Sequence, residues 1–321
     1  MALLLSGALL GGLPGCASKP ALPAPDVSGL TLERRSEKAT AVFDYLRDSY
    51  GDVILTAQQE STWMGSTEYE MDYLMDVTGK LPAIRGLDFM NDDFDGVVER
   101  AIEWDARGGL VTICWHTGVD ISGYEESKRD RPNFDRLLTP GTPEYRTLMN
   151  SWDRAARALQ ELRDANVPVL WRPFHEFDGK WFWWGKGGPE NFIKLWRLMY
   201  DTFTNDYGLD NLIWVLGYSD RTRQGWYPGD EYVDIIGSDN YDKSTNKKNW
   251  NKLTKIAAKP MAFHECSIVP SAQRFEEDGT MWSWFMIWHT EWLTKNQDER
   301  LYEVFHSDKV ITLDELPDFN M

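Results

Sequence analysis

The sequence predicts a single closed (β/α)8 TIM barrel, eight parallel strands each followed by a helix, preceded by an export segment and a short tether. Three observations carry that reading. Strand-like apolar runs alternate with helical stretches through one continuous region, residues 31–321. The runs are apolar throughout rather than alternating with polar residues, the mark of a sheet covered on both faces. Polar side chains gather at the C-terminal ends of nearly all of them, the end at which barrel enzymes build their sites. A doubly wound open sheet is the competing architecture; it would normally carry a glycine-rich phosphate turn after an early strand, and none appears.

Residues 36–50 read as a helix, after which Val53, Ile54 and Leu55 open a strand ending near Gln58, Gln59 and Glu60. Residues 68–77 are helical with Gly79 as their stop, and Pro82, Ala83 and Ile84 lead a second strand to Asp88. A helix over 94–107 precedes a third strand, 109–115, which runs to His116. The polar segment 119–141 reads as a long loop, a candidate wall for one end of a cleft. Apolar positions in 143–165 keep helical spacing, and that helix feeds a fourth strand around Val167–Trp171. Pro189 sits in the first turn of the next helix, which runs to about 207. Strands follow at 212–217, 233–241, 260–266 and 282–289, and a final helix covers 291–305. The polar strand ends are Gln58, Asp88, His116, Glu176, Tyr218, Asp239, Tyr241, Glu265 and His289.

With 321 residues, 42% of them hydrophobic, the chain has enough apolar surface for a full core. A formal charge of −17 argues against nucleic acid, since little here neutralises phosphates, and suits a neutral substrate. Sixteen Trp residues serve either a large core or sugar stacking, and position must decide between them. Cys114 and Cys266 lie in apolar runs and read as buried, unpaired thiols.

Residues 1–15 are apolar, carry no charged side chain and are too short to span a bilayer well. They end at Leu13-Pro14-Gly15-Cys16, which resembles the lipobox of bacterial lipoproteins. The resemblance implies that Cys16 is lipidated and becomes the mature N-terminus. Residues 16–30, with Pro20, Pro23 and Pro25, form an extended tether. An exported, lipid-anchored protein of the cell envelope is expected, or a secreted one if the lipobox is not used. Nothing in the chain indicates obligate oligomerisation, so a monomer is expected.

The stretch 170–185, LWRPFHEFDGKWFWWG, concentrates the chemistry. It delivers Arg172, His175 and Glu176 from one strand end and then four consecutive aromatic residues, Trp181 to Trp184. Charged groups beside aromatic ones make a poor core and a good sugar site, because C–H faces stack on indoles while hydroxyls take polar partners. A second carboxylate, Glu265, ends the seventh strand in Phe263-His264-Glu265. Two carboxyl groups flanking one bond are what glycoside hydrolysis needs.

At these residues the chain resembles glycoside hydrolase family 26, whose best-known members are β-mannanases. The family's acid/base motif stands here as Arg172-Pro173-Phe174-His175-Glu176, followed by Trp181-Phe182-Trp183-Trp184-Gly185. Its nucleophile strand matches Lys259-Pro260 and Glu265, its Asp-x-Tyr matches Asp239-Asn240-Tyr241, and its third-strand Trp-His matches Trp115-His116. Trp288 matches the last-strand Trp. One departure is that Cys266 and Ser267 follow Glu265 where a Gly often stands one residue further on. The resemblance implies cleavage of β-1,4-mannosidic linkages in mannan, galactomannan or manno-oligosaccharides by retaining double displacement. Glu176 is the implied acid/base and must stay protonated; burial beside Trp181 and a nearby carboxylate favour that. Glu265 is the implied nucleophile, held by Tyr241. Arg172 shares the strand parity of Glu176, which points it into the barrel one layer deeper. His116 and His175 are implied sugar ligands, Trp181 and Trp288 stacking platforms, and Asp88 and Asp239 supporting groups. At least one of Trp183 and Trp184 is expected in the core.

Three other readings compete. A β-1,3-1,4-glucanase or β-1,3-xylanase fits the same scaffold, because selection at the 2-hydroxyl is a matter of geometry. A non-catalytic glycan-binding lipoprotein would need the platforms but not the two Glu. A metal hydrolase would use the His-Glu pairs, yet neither is HExxH, since Gly179 occupies the second His position after His175, and no metal ligands are assigned. The expected chemistry requires no cofactor. Endo action and release of mannobiose both remain open at this level.

Overall fold

Eight parallel strands close on themselves in the computed structural model, which describes residues 35–319. They are β1 (Ile54–Gln59), β2 (Ile84–Asp88), β3 (Leu110–Cys114), β4 (Val169–Arg172), β5 (Leu212–Tyr218), β6 (Ile235–Asn240), β7 (Met261–Cys266) and β8 (Trp284–Ile287). Each pairs with its neighbours in sequence, and β1 completes the ring by pairing with both β2 and β8. Helices follow most of the strands, as the alternation in the sequence requires. The export segment, Cys16 and the tether lie outside the described residues.

Side-chain alternation decides what fills the barrel. On β5, Ile213 and Val215 belong to a buried cluster with Leu55, Leu170, Ala262 and Trp284, while Leu212, Trp214 and Leu216 belong to another that packs on the helices. Successive strand residues point to opposite faces, so the first set lines the interior and the second faces outward. Helix Glu37–Asp48, N-capped by Ser36, adds Val42, Phe43 and Leu46 to the interior set and stops the N-terminal mouth. That leaves the C-terminal mouth as the open end. Trp152, Trp171 and Trp196 sit fully buried in the outer layer, where truncating one to Ala would cost about 3–5 kcal/mol.

The structure adds detail that periodicity did not reveal. A ninth strand, β9 (Val310–Ile311), pairs with Ile54 and Leu55 of β1, below the point where β1–β2 pairing begins at Ala57. The final helix is two, Glu291–Thr294 and Asp298–Phe305, separated at Asn296. That buried amide accepts from the Val269 N–H and donates to Ser267 O, so it ties the break to the loop after β7. Segment 119–141 is not one long loop; it contains helices Tyr124–Arg129 and Phe134–Leu137. Helices Lys247–Leu253 and Ala272–Asp278 follow β6 and β7. The helix from Pro189 ends at Asp201 and continues as one π turn, Thr202–Asp206.

Candidate active site

Strand β4 ends at Arg172, so Glu176 is not a strand residue. A turn places it, with Phe174 at φ 52° and Glu176 at φ 55°. Non-glycine residues in that left-handed region cost of order 1 kcal/mol or more each and persist only where surroundings hold them. Here the Glu176 N–H donates to Gly217 O at 2.7 Å and the Trp184 indole N–H donates to His175 O at 2.7 Å. Trp183 donates to Thr117 O at 2.9 Å. A Cβ on Gly185 would lie 2.0 Å from Phe177 O, so only glycine allows this closeness. Both Trp183 and Trp184 are therefore core residues that clamp the turn. Phe182 instead lines the cleft, beside His175 and His116.

Arg172 points inward as expected, though by the strand parity it shares with Leu170 on β4 and not with Glu176, which lies off the strand, and its Nη1 donates to Glu265 Oε1 at 2.5 Å. The Tyr241 hydroxyl donates to Glu265 Oε2 at 2.7 Å. Both oxygens of Glu265 thus face donors, the setting of an acceptor-only carboxylate. Burial and the neighbouring Glu265 push the Tyr241 hydroxyl well up, so it stays a donor. Burial, His116 and Arg172 hold His175 neutral, its Nε2 3.6 Å from Glu265 Oε1.

One oxygen each of Glu176, Asp239 and Glu265 lie within 4.8 Å of one another. Burial, then the Glu265 charge, pushes Glu176 up from 4.5 to about 8. Trp181 acts against this: its indole N–H donates to Glu176 Oε2 at 2.8 Å and favours the ionised form. Asp239 is raised for similar reasons, burial first and then the two Glu, and is bonded to His264. Sequence spacing showed no metal cluster, yet among the described residues folding assembles two sets of three donors, this trio and Asp88–Cys114–His116. Protein donors already meet the trio's two Glu, Arg172 and Tyr241 on Glu265 and Trp181 on Glu176, while Asp239 is bonded through Oδ1 to His264. In the second set His116 Nδ1 is 2.5 Å from Asp88 Oδ2; burial pushes Asp88 up, but the charge and bonds of His116 together with Cys114 hold it below the usual carboxylate range.

A cleft of about 500 Å³ opens at this mouth. Of the residues singled out from sequence, Asp88, His116, His175, Glu176, Tyr241, Glu265 and Trp288 line it. Arg172 and Asp239 lie buried beneath, and Trp181 flanks Glu176 with Arg221 over its ring at 5.5 Å. Glu60, Trp63, Tyr124, Phe182, His289 and Trp292 also line the cleft without having been assigned to it. His289 had shown itself as a polar strand end; Trp63 and Tyr124 sit in segments without periodicity. The cleft runs from the carboxylate pair past Trp288 and His289 to Trp63, half of whose surface is exposed. Buried Glu70 joins the two loops involved, accepting from Ser61 N and Oγ and from Thr290 N at 2.7–3.0 Å. Tyr124, from segment 119–141, walls the opposite side against His116. Cys114 and Cys266 are buried free thiols, as expected.

A closed barrel that sets a protonated carboxyl and a donor-held carboxylate at its C-terminal mouth, one oxygen of each within 4.8 Å of the other, fits the retaining glycosidase class, in which the two carboxyl groups are about 5–5.5 Å apart. Inverting enzymes need about 6.5–9.5 Å. The sequence model of glycosyl hydrolase family 26 matches residues 33–315, and the chain belongs to that family. A mannan endo-1,4-beta-mannosidase of Thermothelomyces thermophilus is 34% identical across 92% of this chain and 66% of its own length. Mannan endo-1,4-beta-mannosidase B of Piromyces sp is 31% identical across 88% of this chain and 52% of its own. The chain thus spans between about half and two thirds of these curated relatives. The crystal structure of a ruminal GH26 endo-beta-1,4-mannanase superposes with a TM-score of 0.85 at 30% identity, covering 94% of this chain and 72% of that one. A Podospora anserina GH26-CBM35 beta-(1,4)-mannanase gives 0.84 at 31% identity over the same shares.

Proposed function

We propose that this chain hydrolyses β-1,4-mannosidic bonds with retention of configuration. The observation that carries the reading is the pairing of Glu176, pushed up to about 8, with Glu265, both of whose oxygens face donors. Glu265 attacks the anomeric carbon as the glycosidic C–O bond breaks, and Glu176 gives its proton to the departing oxygen. Water then attacks the glycosyl ester while Glu176, now the base, takes its proton and frees Glu265. Neutral His175 and Asp88-bonded His116 serve as hydroxyl partners, and Trp288 as the platform under the reacting ring.

The sugar comes from the relatives, several of which are mannan endo-1,4-beta-mannosidases. Endo action is supported by a cleft that continues past Trp288 toward Trp63 and so accommodates more than one ring. Mannan, mixed-linkage glucan and β-1,3-xylan, each offered to the wild type and to Glu176→Ala and Glu265→Ala, test the reading. Reducing ends released from mannan by the wild type alone bear it out. Turnover that survives either substitution overturns the roles given to Glu176 and Glu265, and a wild type that releases nothing from any of the three leaves a glycan-binding role. The envelope location and lipid anchor rest on the Leu13–Cys16 pattern alone; fatty-acid labelling lost in Cys16→Ser tests them. A monomer is the expected working unit, checked by light scattering.

A further inference from the structure

Glu265 faces the cleft only because β7 departs from regular alternation. Gly237 pairs with Ala262 and Asp239 pairs with Glu265, so two steps on β6 oppose three on β7. The other edge agrees: Phe263 pairs with Phe285 and Cys266 with Ile287, three steps against two. Strand β7 therefore carries one residue more than both neighbours between Phe263 and Cys266, a bulge. Side-chain placement confirms it. Phe263 and Cys266 both belong to the outer cluster, although strict alternation would put residues three apart on opposite faces. The two residues between them, His264 and Glu265, both turn inward.

Two consecutive inward side chains need room that a regular strand does not provide. Glycines on the adjacent strands provide it. A Cβ on Gly217 would lie 2.7 Å from the His264 ring, and one on Gly237 would lie 2.5 Å from it. The imidazole sits fully buried in this slot, without lining the cleft, and its Nδ1 is bonded to Asp239 Oδ1. Burial, then Arg172, holds it neutral, which fits a group with no carboxylate to neutralise beyond a raised Asp239. Asp239 is the residue whose backbone pairs with Glu265, so the His264–Asp239 bond ties the bulged strand to β6 at the register position of the nucleophile. We infer that His264 is a positioning residue: by filling the slot and bonding Asp239 it holds the bulge that turns Glu265 into the cleft.

This inference rests on the hydrolase reading above, and the test separates the two. Wild type and variants are compared on 2,4-dinitrophenyl β-mannoside, whose leaving group needs no proton, and on an unactivated manno-oligosaccharide, whose leaving group does. A wild type inactive on both overturns the hydrolase reading and the inference with it. His264→Leu keeps the bulk and loses the bond; kcat is expected to fall about a hundredfold or more on both substrates with KM within about threefold. A loss confined to the oligosaccharide overturns the inference, because the effect then runs through the acid, as does a folded Leu variant with wild-type kcat. His264→Asn keeps a group able to bond Asp239 and is expected within about tenfold of wild type. A hundredfold loss in that variant also overturns it.

Discussion

Replacing Glu176 by Gln is expected to make this protein more stable at neutral pH while abolishing turnover. The carboxyl is pushed up from 4.5 to about 8 by burial and by Glu265. Between those values the native state keeps a proton that the unfolded chain has released, so the native state binds more protons and stability falls as pH rises. At pH 7 the unfolded chain has gained roughly 2.5 units of ionisation free energy that the native state has not, which at 1.36 kcal/mol per unit is about 3 kcal/mol. Gln carries no such proton, and its amide oxygen still accepts from the Trp181 indole. Urea unfolding of the wild type and of Glu176→Gln at pH 4.5 and pH 7 measures the difference. The variant's advantage over wild type should be below about 0.5 kcal/mol at pH 4.5 and about 3 kcal/mol at pH 7. An advantage that does not change with pH, or a variant less stable than wild type at pH 7, refutes the reasoning.

Three further outcomes follow from the same geometry. Wild-type kcat/KM should decline as pH rises through about 8, where Glu176 loses its proton, and Trp181→Phe should move that decline to higher pH by removing a bond to the ionised form; an unmoved or lowered limb contradicts it. Tyr241→Phe deletes a donor to Glu265 and should lower kcat by about 10–100-fold, from the 1.5–3 kcal/mol such bonds are worth, in steady-state assays on mannan. Arg172→Met strands Glu265 as a buried, unpaired charge and should cost about 3–5 kcal/mol in urea unfolding; a loss below about 1 kcal/mol means the pair is not what holds this layer together.

Much of this site could be read from the chain because strand periodicity and residue chemistry agree there. The inward side of Arg172 and the strand-end placement of Asp88 and His116 follow from regular strands delivering polar groups to one mouth, and the Tyr241 bond follows from the family motif. What stayed hidden was irregular backbone. Glu176 reaches the cleft through a left-handed turn, not along a strand, and Glu265 through a bulge, and neither has a period. Trp63 and Tyr124 belong to segments whose positions are set by distant groups such as Glu70 and the Lys186 ammonium, which bonds Asp130 O at 3.1 Å. Trp181, Trp183 and Trp184 are alike in sequence; only the carbonyl or carboxylate each indole finds separates clamp from site.

The central claim is that two carboxyl groups whose nearest oxygens lie within 4.8 Å leave no room for water opposite the leaving group, so the reaction passes through a glycosyl ester on Glu265. Proton NMR of a manno-oligosaccharide digest in its first minutes, before mutarotation, reads the configuration of the new reducing end directly. The β-anomer appearing first is the expected result; the α-anomer appearing first contradicts the account.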